Sequence, residues 1–206
     1  MTTPTPLIHV VDDDESLRTA LLRLLDAAGF KARGYASVGD FLLQPPPDGP
    51  GCVLLDVRMP GPSGLDLQAA LRRQGSALPV VFLTGYADVA AGVQAMKAGA
   101  VDFLTKPVQR EVLFEALQRA LARDAAERAA RAQAEQLRAA FAALTPREQA
   151  VFDRVVAGEL NKQIADALGI AERTVKMQRA QVMAKLGASS AAELGRLAER
   201  LQHLPD

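Results

Sequence analysis

Length, composition and charge describe a globular protein. The chain has 206 residues, with 24 basic and 24 acidic side chains and a formal net charge of zero, a length that suits two domains of roughly 100 residues better than one. Hydrophobic residues make up 49% of the chain, and no apolar run approaches the roughly 20 residues that cross a bilayer, which excludes disordered and membrane-spanning proteins.

Cysteine and histidine are scarce. Cys52 is the only cysteine, and His9 and His203 are the only histidines. This count excludes an intramolecular disulfide, a Cys/His zinc site and most enzymes that pair a nucleophile with histidine. No basic residue precedes an apolar stretch at the N-terminus, as it does in a signal peptide, so we expect a cytoplasmic protein.

In the first half, short apolar runs alternate with amphipathic segments. The predicted strands are residues 7–11, 32–35, 52–55, 80–83 and 101–104. The predicted helices are residues 15–28, 37–43, 65–73, 88–98 and a last one from 109 onward. Five such units predict an α/β fold with a doubly wound, five-stranded parallel sheet. In such a sheet, ligands bind beyond the carboxyl ends of the strands.

Polar residues follow four of these strands. Asp12, Asp13 and Asp14 follow the first, Asp56 the third, Thr84 the fourth and Lys106 the fifth. Clustered carboxylates need a cation, and oxygen ligands favour Mg²⁺. A carboxylate can also accept a phosphoryl group, whose charge a hydroxyl and an ammonium then bind. The competing interpretation is that the acidic residues merely cap the first helix. It could explain residues 12–14 alone, but it does not explain polar residues at the ends of four strands.

The residues at these strand ends resemble the receiver domain of two-component response regulators, over about residues 5–122. The resemblance rests on Val-Asp-Asp at 11–13, Leu-Asp-Val-Arg-Met-Pro at 55–60, Leu-Thr-Gly at 83–85 and Phe-Leu-Thr-Lys-Pro at 103–107. It implies a flavodoxin-like fold, a phosphoryl group on Asp56 donated by a sensor histidine kinase, and Thr84 and Lys106 as ligands of the phosphoryl oxygens.

The same resemblance implies further roles. Phe103 is the expected switch aromatic, and the Lys106–Pro107 bond is expected to be cis. Arg58 and Tyr86 are expected to tune the lifetime of the phosphorylated state. The implied Mg²⁺ ligands are Asp13, Asp56 and the backbone carbonyl of Arg58, with Asp12 assisting through water.

Residues 108–144 contain neither glycine nor proline and are rich in helix-forming Ala, Arg, Glu, Gln and Leu, which predicts a helical linker. We therefore expect a receiver at residues 1–122, the linker at 123–143 and a second domain at 144–206. A new helix is indicated at Thr145, where Thr-Pro-Arg-Glu combines a capping residue, proline at the first position and glutamate three residues on.

The second domain is predicted to be an all-α helix-turn-helix fold. Asn161 opens a helix to Leu168, Gly169 breaks it, and another helix follows from about Glu172 to Leu186. The sixteen residues 171–186 carry four basic side chains and one acidic one, a local charge of +3, as an element inserted into a DNA groove requires. A helical bundle whose charged face is merely solvated is the alternative.

Five short segments of this domain resemble the LuxR-type helix-turn-helix, from about residue 144 to 201. They are Leu-Thr-Pro-Arg-Glu at 144–148, Asn-Lys-Gln-Ile-Ala at 161–165, Leu-Gly-Ile at 168–170, Thr-Val-Lys at 174–176 and Val-Met-Ala-Lys-Leu at 182–186. The complete chain resembles the NarL/FixJ class of response regulators, nearest to its FixJ-like members. The implied contacts to bases are Lys176, Met177, Arg179 and Ala180, and those to phosphates are Lys162, Thr174 and Lys185.

Two residues depart from the LuxR-type pattern. Gln178 stands where the family usually has histidine, and Ala171 stands where it often has serine. Alanine at a helix N-cap forgoes about 1 kcal/mol of capping. The contact made at the histidine position is therefore left open.

These resemblances imply a phosphorylation-controlled, DNA-binding transcriptional regulator. Expected partners are a sensor histidine kinase, double-stranded promoter DNA and RNA polymerase, with homodimerisation on phosphorylation through a face near residues 90–104. The expected chemistry is self-directed: phosphoryl acceptance and autodephosphorylation, and no activity as an enzyme. The alternative is a phosphorylation-independent regulator or protein-interaction module with an inert receiver.

Overall fold

A computed structural model describes residues 5–43, 49–85 and 89–203. The chain divides into two compact units, Met1–Arg128 and Ala129–Asp206. No helix in the described part is long and apolar enough to cross a membrane.

The first unit is built on a parallel sheet in the order β2-β1-β3-β4-β5. Its strands are β1 (Leu7–Val11), β2 (Lys31–Tyr35), β3 (Gly51–Asp56), β4 (Val80–Thr84) and β5 (Asp102–Thr105). All five predicted strands are confirmed, with bounds that differ by one residue at most. The order is that of the flavodoxin-like doubly wound fold.

Helices cover both faces of this sheet. They are α1 (Glu15–Ala27), α2 (Val38–Leu43), α3 (Gly64–Arg73), α4 (Val89–Lys97) and α5 (Arg110–Ala142). Alternate residues of β3 point to opposite faces: Val53 and Leu55 pack with α2–α4, and Cys52 and Leu54 pack with α1 and α5. Because helices cover both faces of the sheet, a polar ligand site is expected at the carboxyl ends of the strands.

Helix α5 confirms the predicted helical linker, because it runs without a break for 33 residues. Asp124 on this helix is 1% exposed, and its Oδ2 accepts a hydrogen bond of 2.9 Å from the backbone amide of Gly51. Arg128 pairs with Asp124 and donates to the carbonyl of Gly49. The division between the units thus falls six residues beyond the predicted receiver limit of 122, after these two contacts.

The second unit is all-α, as predicted. It holds the end of α5 and helices α6 (Pro146–Val156), α7 (Asn161–Leu168), α8 (Glu172–Leu186) and α9 (Ala191–Gln202). Its core includes Phe152, Ile164, Val175 and Leu194. Gly169, with φ of 64°, makes the left-handed turn between α7 and α8.

The start of this unit follows local sequence signals. Thr145 caps α6, and Glu148 returns a side-chain bond to the amide of Thr145, the reciprocal arrangement that the Thr-Pro-Arg-Glu segment predicts. The last turns of α5 join the same core, where Leu137 is buried and the rings of Phe141 and Phe152 lie 5.2 Å apart.

Candidate functional site

The first candidate site lies where the strand order reverses. From β1 the chain crosses to β2 on one side and then returns to β3 on the other, which leaves a crevice between the carboxyl ends of β1 and β3. Asp12 directly follows β1, and Asp56 is the last residue of β3. The topology thus brings together two carboxylates that are 44 residues apart in the sequence.

Lys106 joins these two carboxylates. Its Nζ lies 2.7 Å from Oδ2 of Asp12 and 2.5 Å from Oδ2 of Asp56, and both aspartates are buried. Burial alone lowers the pKa of Lys106, but hydrogen bonds to both carboxylates and their charges outweigh it, so the pKa is raised above its ordinary value. The ammonium therefore stays charged.

The loop after β5 fixes the position of Lys106. Its backbone amide donates a 2.6 Å hydrogen bond to the carbonyl of Thr84, at the end of the adjacent strand. The Lys106–Pro107 bond is cis, which confirms the prediction from the sequence. Thr84 itself is 1% exposed, so the structure gathers Asp12, Asp56, Thr84 and Lys106 at one edge of the sheet.

The carboxylates form an oxygen-rich cluster that suits a hard cation. Asp12, Asp13 and Asp56 each offer an oxygen within 4.8 Å of the others. The second oxygens of the two buried aspartates accept backbone amides, that of Asp12 from Asp14 at 2.9 Å and that of Asp56 from Arg58 at 3.1 Å. Three carboxylates without nitrogen or sulfur ligands favour Mg²⁺ over zinc or copper.

Phe103, the predicted switch aromatic, is half-buried on β5. Its ring lies 6.0 Å from that of Phe82, and a Cβ on Gly92 of α4 would meet it at 3.4 Å. Glycine at position 92 thus lets the helix approach the ring closely. Tyr86, predicted to tune the phosphorylated state together with Arg58, lies outside the described residues.

Two neighbours of the pocket have structural roles. Asp14 caps α1, because its side chain accepts a 3.1 Å bond from the amide of Leu17. Arg18 donates a 2.7 Å bond to the carbonyl of Asp12. The capping interpretation thus holds for Asp14, and an aspartate just before a helical segment is its sequence signal. No local pattern marks Arg18, whose contact depends on the turn between β1 and α1.

The second candidate site is the outer face of α8. Lys176, Met177 and Ala180 are exposed there, with Met177 55% exposed, and Thr174 and Arg179 are half-buried. Lys162 is exposed at the start of α7. The opposite face of α8 is buried at Val175, Val182 and Leu186.

Two basic side chains of α8 have partners inside the unit. Arg179 donates a 3.1 Å bond to Oδ1 of Asn161, the first residue of α7. The Nζ of Lys185 lies 2.7 Å from Oε2 of Glu148 and 3.2 Å from the carbonyl of Ala143. The proposed DNA contacts of both side chains stay predictions. Sequence patterns gave no sign of these partners, which lie 18 and 37 residues away.

The two departures from the LuxR-type pattern have structural consequences. Gln178 is buried, and its Oε1 has no hydrogen-bond partner in the described part of the chain. An orphaned polar atom of this kind costs about 1–3 kcal/mol. Ala171 is the N-cap of α8 and makes no side-chain bond to the first turn, as its residue type predicts.

Comparisons with known proteins match both halves of the chain. A family model of the response regulator receiver domain matches residues 8–118, and one of the luxR family of bacterial regulatory proteins matches residues 142–198. Nodulation protein W of Bradyrhizobium diazoefficiens is 43% identical over 95% of this chain and 86% of its own length. FixJ, a transcriptional regulatory protein of the same organism, is 41% identical over 97% of each chain.

A solved structure agrees with the complete architecture. The response regulator StyR is 43% identical, with 96% of this chain and all of that chain covered, and the TM-score is 0.87. A receiver with its acidic pocket, followed by a basic helix-turn-helix, defines a class of regulators that phosphorylation controls. The chain belongs to the response regulator family, with a LuxR-type DNA-binding domain, and is a phosphorylation-controlled transcriptional regulator of two-component signalling. This membership implies a sensor kinase and DNA as its partners.

Proposed function

We propose that Asp56 is the residue that accepts the phosphoryl group. An oxygen of its carboxylate forms the new O–P bond as the N–P bond of the kinase phosphohistidine breaks, and the kinase histidine is released. The observation that carries this proposal is the 2.5 Å contact between Nζ of Lys106 and Oδ2 of Asp56. A permanent positive charge beside the acceptor offsets the negative charge that the phosphoryl group brings.

The same proposal assigns Mg²⁺ to Asp12, Asp13, Asp56 and the backbone carbonyl of Arg58. The clustered oxygens of the three aspartates support a hard divalent cation at this position. When bound, the cation neutralises charge on the carboxylates and on the phosphoryl oxygens. Thr84 and Lys106 bind the phosphoryl oxygens, and Phe103 responds to the movement of Thr84.

The chemistry proposed for the chain is directed at itself. After transfer, water hydrolyses the acyl phosphate on Asp56 and releases inorganic phosphate, which restores the carboxylate. The chain is not proposed to act as an enzyme on another molecule. Arg58, which is exposed next to the acceptor, is proposed to influence the rate of this hydrolysis.

For DNA recognition, we propose that α8 enters the major groove. Lys176, Met177, Arg179 and Ala180 face base edges, and Lys162 and Thr174 bind phosphates. The exposure of Lys176, Met177 and Ala180 on one face of the helix supports this assignment. The ammonium of Lys185, by contrast, has partners within the protein.

We further propose that phosphorylation promotes a homodimer through the face around residues 90–104. Val93 and Met96 of α4 expose 48% and 47% of their surface, which supplies apolar area for such a contact. Two copies would bind half-sites about one helical turn apart. The dimer would act with RNA polymerase at promoter DNA, and hence in the cytoplasm.

The test is the intact mass of the full chain after incubation with Mg²⁺ and acetyl phosphate. We expect one phosphoryl adduct on the wild type and none on Asp56→Asn, because an amide cannot accept the group. Asp40→Asn, at an exposed position on α2, is the matched control and keeps the adduct. A folded wild type without any adduct would favour an inert receiver and count against Asp56.

A further inference from the structure

Lys185, in the last turn of α8, points back into its own domain. Its Nζ donates to Oε2 of Glu148 on α6 at 2.7 Å and to the carbonyl of Ala143 at 3.2 Å. Ala143 lies between the end of α5 and the start of α6. One ammonium group therefore connects the end of α8 with the chain segment where the domain begins.

Glu148 depends on this ammonium. The residue is 5% exposed, and the same Oε2 accepts the 2.7 Å bond from the amide of Thr145 that caps α6. The hydrogen bond from Lys185 is the largest cause of a lowered pKa at Glu148, followed by that from the backbone of Thr145. If Lys185 turned toward a DNA phosphate, a charged and largely enclosed carboxylate would lose its cation, which is unfavourable.

The neighbours of Lys185 hold the same end of the helix in place. Leu186 is buried in the domain core, and Gly187 ends α8 in the left-handed conformation with φ of 66°. The end of α8 is thus fixed by an apolar contact and by an ion pair. The exposed residues Lys176 and Met177 are more than two turns away along the helix, and Ala180 is more than one turn away.

We propose that Lys185 is a positioning residue of the DNA-binding domain, which holds α8 in its binding orientation through Glu148, and that it makes no phosphate contact of its own. The proposal rests on the proposed function of α8 as the recognition helix. The proposal also gives Glu148 a favourable role in DNA binding, although a DNA phosphate would repel this acidic residue.

The two possible roles of Lys185 predict opposite effects for Glu148→Gln. Gln keeps an acceptor for the amide of Thr145 and removes the charge partner of Lys185. A positioning role predicts weaker DNA binding, because α8 is no longer held at its end. A direct phosphate contact predicts equal or tighter binding, because the variant releases the ammonium and removes a negative charge.

The experiment measures DNA affinity of the full chain as a function of salt concentration. The probe is a duplex that the wild-type chain has selected from a random-sequence pool. Affinity falls as the salt concentration rises, and the slope here means the steepness of that fall in a plot of log K against log salt. Each lost phosphate contact lowers this steepness by about 0.9 per bound chain. Lys162→Gln, at an exposed position on α7, is the matched control for a lost phosphate contact and lowers this slope.

For Lys185→Gln we expect an unchanged slope and an affinity loss of about tenfold, which corresponds to about 1.4 kcal/mol. Glu148→Gln should cause a similar loss, and the double variant should be no worse than either single one, because all three break the same contact. The reversed pair, Lys185→Glu with Glu148→Lys, should recover part of the affinity that Lys185→Glu loses alone.

Two results would overturn the proposal. One is a slope that falls in Lys185→Gln as it does in Lys162→Gln. The other is a Glu148→Gln variant that stays folded and binds DNA as tightly as the wild type. Failure of the recognition helix itself is distinguishable, because Lys176→Gln and Lys162→Gln would then leave both affinity and slope unchanged.

Discussion

Lys106 shows how one side chain can prepare an acceptor pocket. In this structure its ammonium compensates Asp12 and Asp56 together. A phosphoryl group on Asp56 would compete with Asp12 for this ammonium, because a phosphoryl group carries more negative charge than a carboxylate. If Asp56 is phosphorylated as proposed, the ion pair between Lys106 and the phosphoryl group would exist only in the phosphorylated state, and it would shift the balance between two conformations of the receiver.

His9 is a buried titratable residue, and its burial predicts that the stability of the receiver depends on pH. The residue is 2% exposed on β1, and its Nδ1 lies 3.0 Å from the hydroxyl of Tyr35. Burial, with a smaller effect of the Arg33 charge, lowers the pKa of His9 to about 4 from 6.5. Between about pH 6.5 and pH 4, His9 is therefore mostly protonated in the unfolded chain and mostly neutral in the folded chain.

The free energy of unfolding should therefore fall as the pH drops from 6.5 to 4, by up to about 3 kcal/mol from this residue. His9→Gln, which has no proton to gain, should unfold with a weaker pH dependence over this range. Chemical denaturation at several pH values measures the slope. His203→Gln, at the exposed C-cap position after α9, is the control and should keep the slope of the wild type. An equal slope in His9→Gln would refute the assignment.

At the scale of elements, the start of α8 has an unused stabilising position. Ala171 has the extended backbone of an N-cap, with φ of −68° and ψ of 144°, but offers no side-chain acceptor. A serine there can accept the amide of Thr174, as Ser190 accepts that of Glu193 at the start of α9. The helix proposed to enter DNA thus begins with weaker capping than its neighbour.

Ala171→Ser should raise the free energy of unfolding of the second unit by about 1 kcal/mol. Ser190→Ala, the matched control, should lower it by a similar amount, because it removes an existing cap. Thermal unfolding followed by helical circular dichroism measures both changes. A decrease in stability for Ala171→Ser would mean that the N-cap geometry of α8 differs from the one described.

At the scale of the whole molecule, contacts decide where the receiver ends. The limit predicted at residue 122 follows the change in composition, but the buried carboxylate of Asp124 binds the amide of Gly51, and Arg128 binds the carbonyl of Gly49. The lack of a side chain at Gly51 also lets β3 begin close to β1, since a Cβ there would lie 2.2 Å from the carbonyl oxygen of Leu7. The first compact unit accordingly extends through Arg128.

A fragment of residues 1–128 should consequently be more stable than one of residues 1–122. The difference should be about 2–4 kcal/mol, because the buried amide of Gly51 and the carbonyl of Gly49 lose their hydrogen-bond partners in the shorter fragment. Urea denaturation of the two fragments measures it. A fragment of residues 1–136, whose extra residues belong to the other unit, serves as control and should match 1–128. Equal stability of the 1–122 and 1–128 fragments would argue against a role for Asp124 and Arg128.

The sequence by itself was sufficient for the elements and for the chemistry at the strand ends. Apolar alternation, capping residues and glycine breaks are local signals, so the five strands and helices α6–α8 could be assigned from residue types and spacing. The order of polar residues after the strands likewise identified Asp12, Asp56, Thr84 and Lys106, because parallel strands bring their carboxyl ends to one edge.

Only the tertiary structure decided how the charged side chains are paired. The contacts of Lys106 with Asp12, of Asp124 with Gly51 and of Lys185 with Glu148 join residues 94, 73 and 37 positions apart. Basic and acidic residues on a helix have the same local pattern whether they face solvent, DNA or another helix. Their partners depend on which elements pack together in the folded chain. Local sequence preferences do not determine contacts between residues so far apart in the sequence.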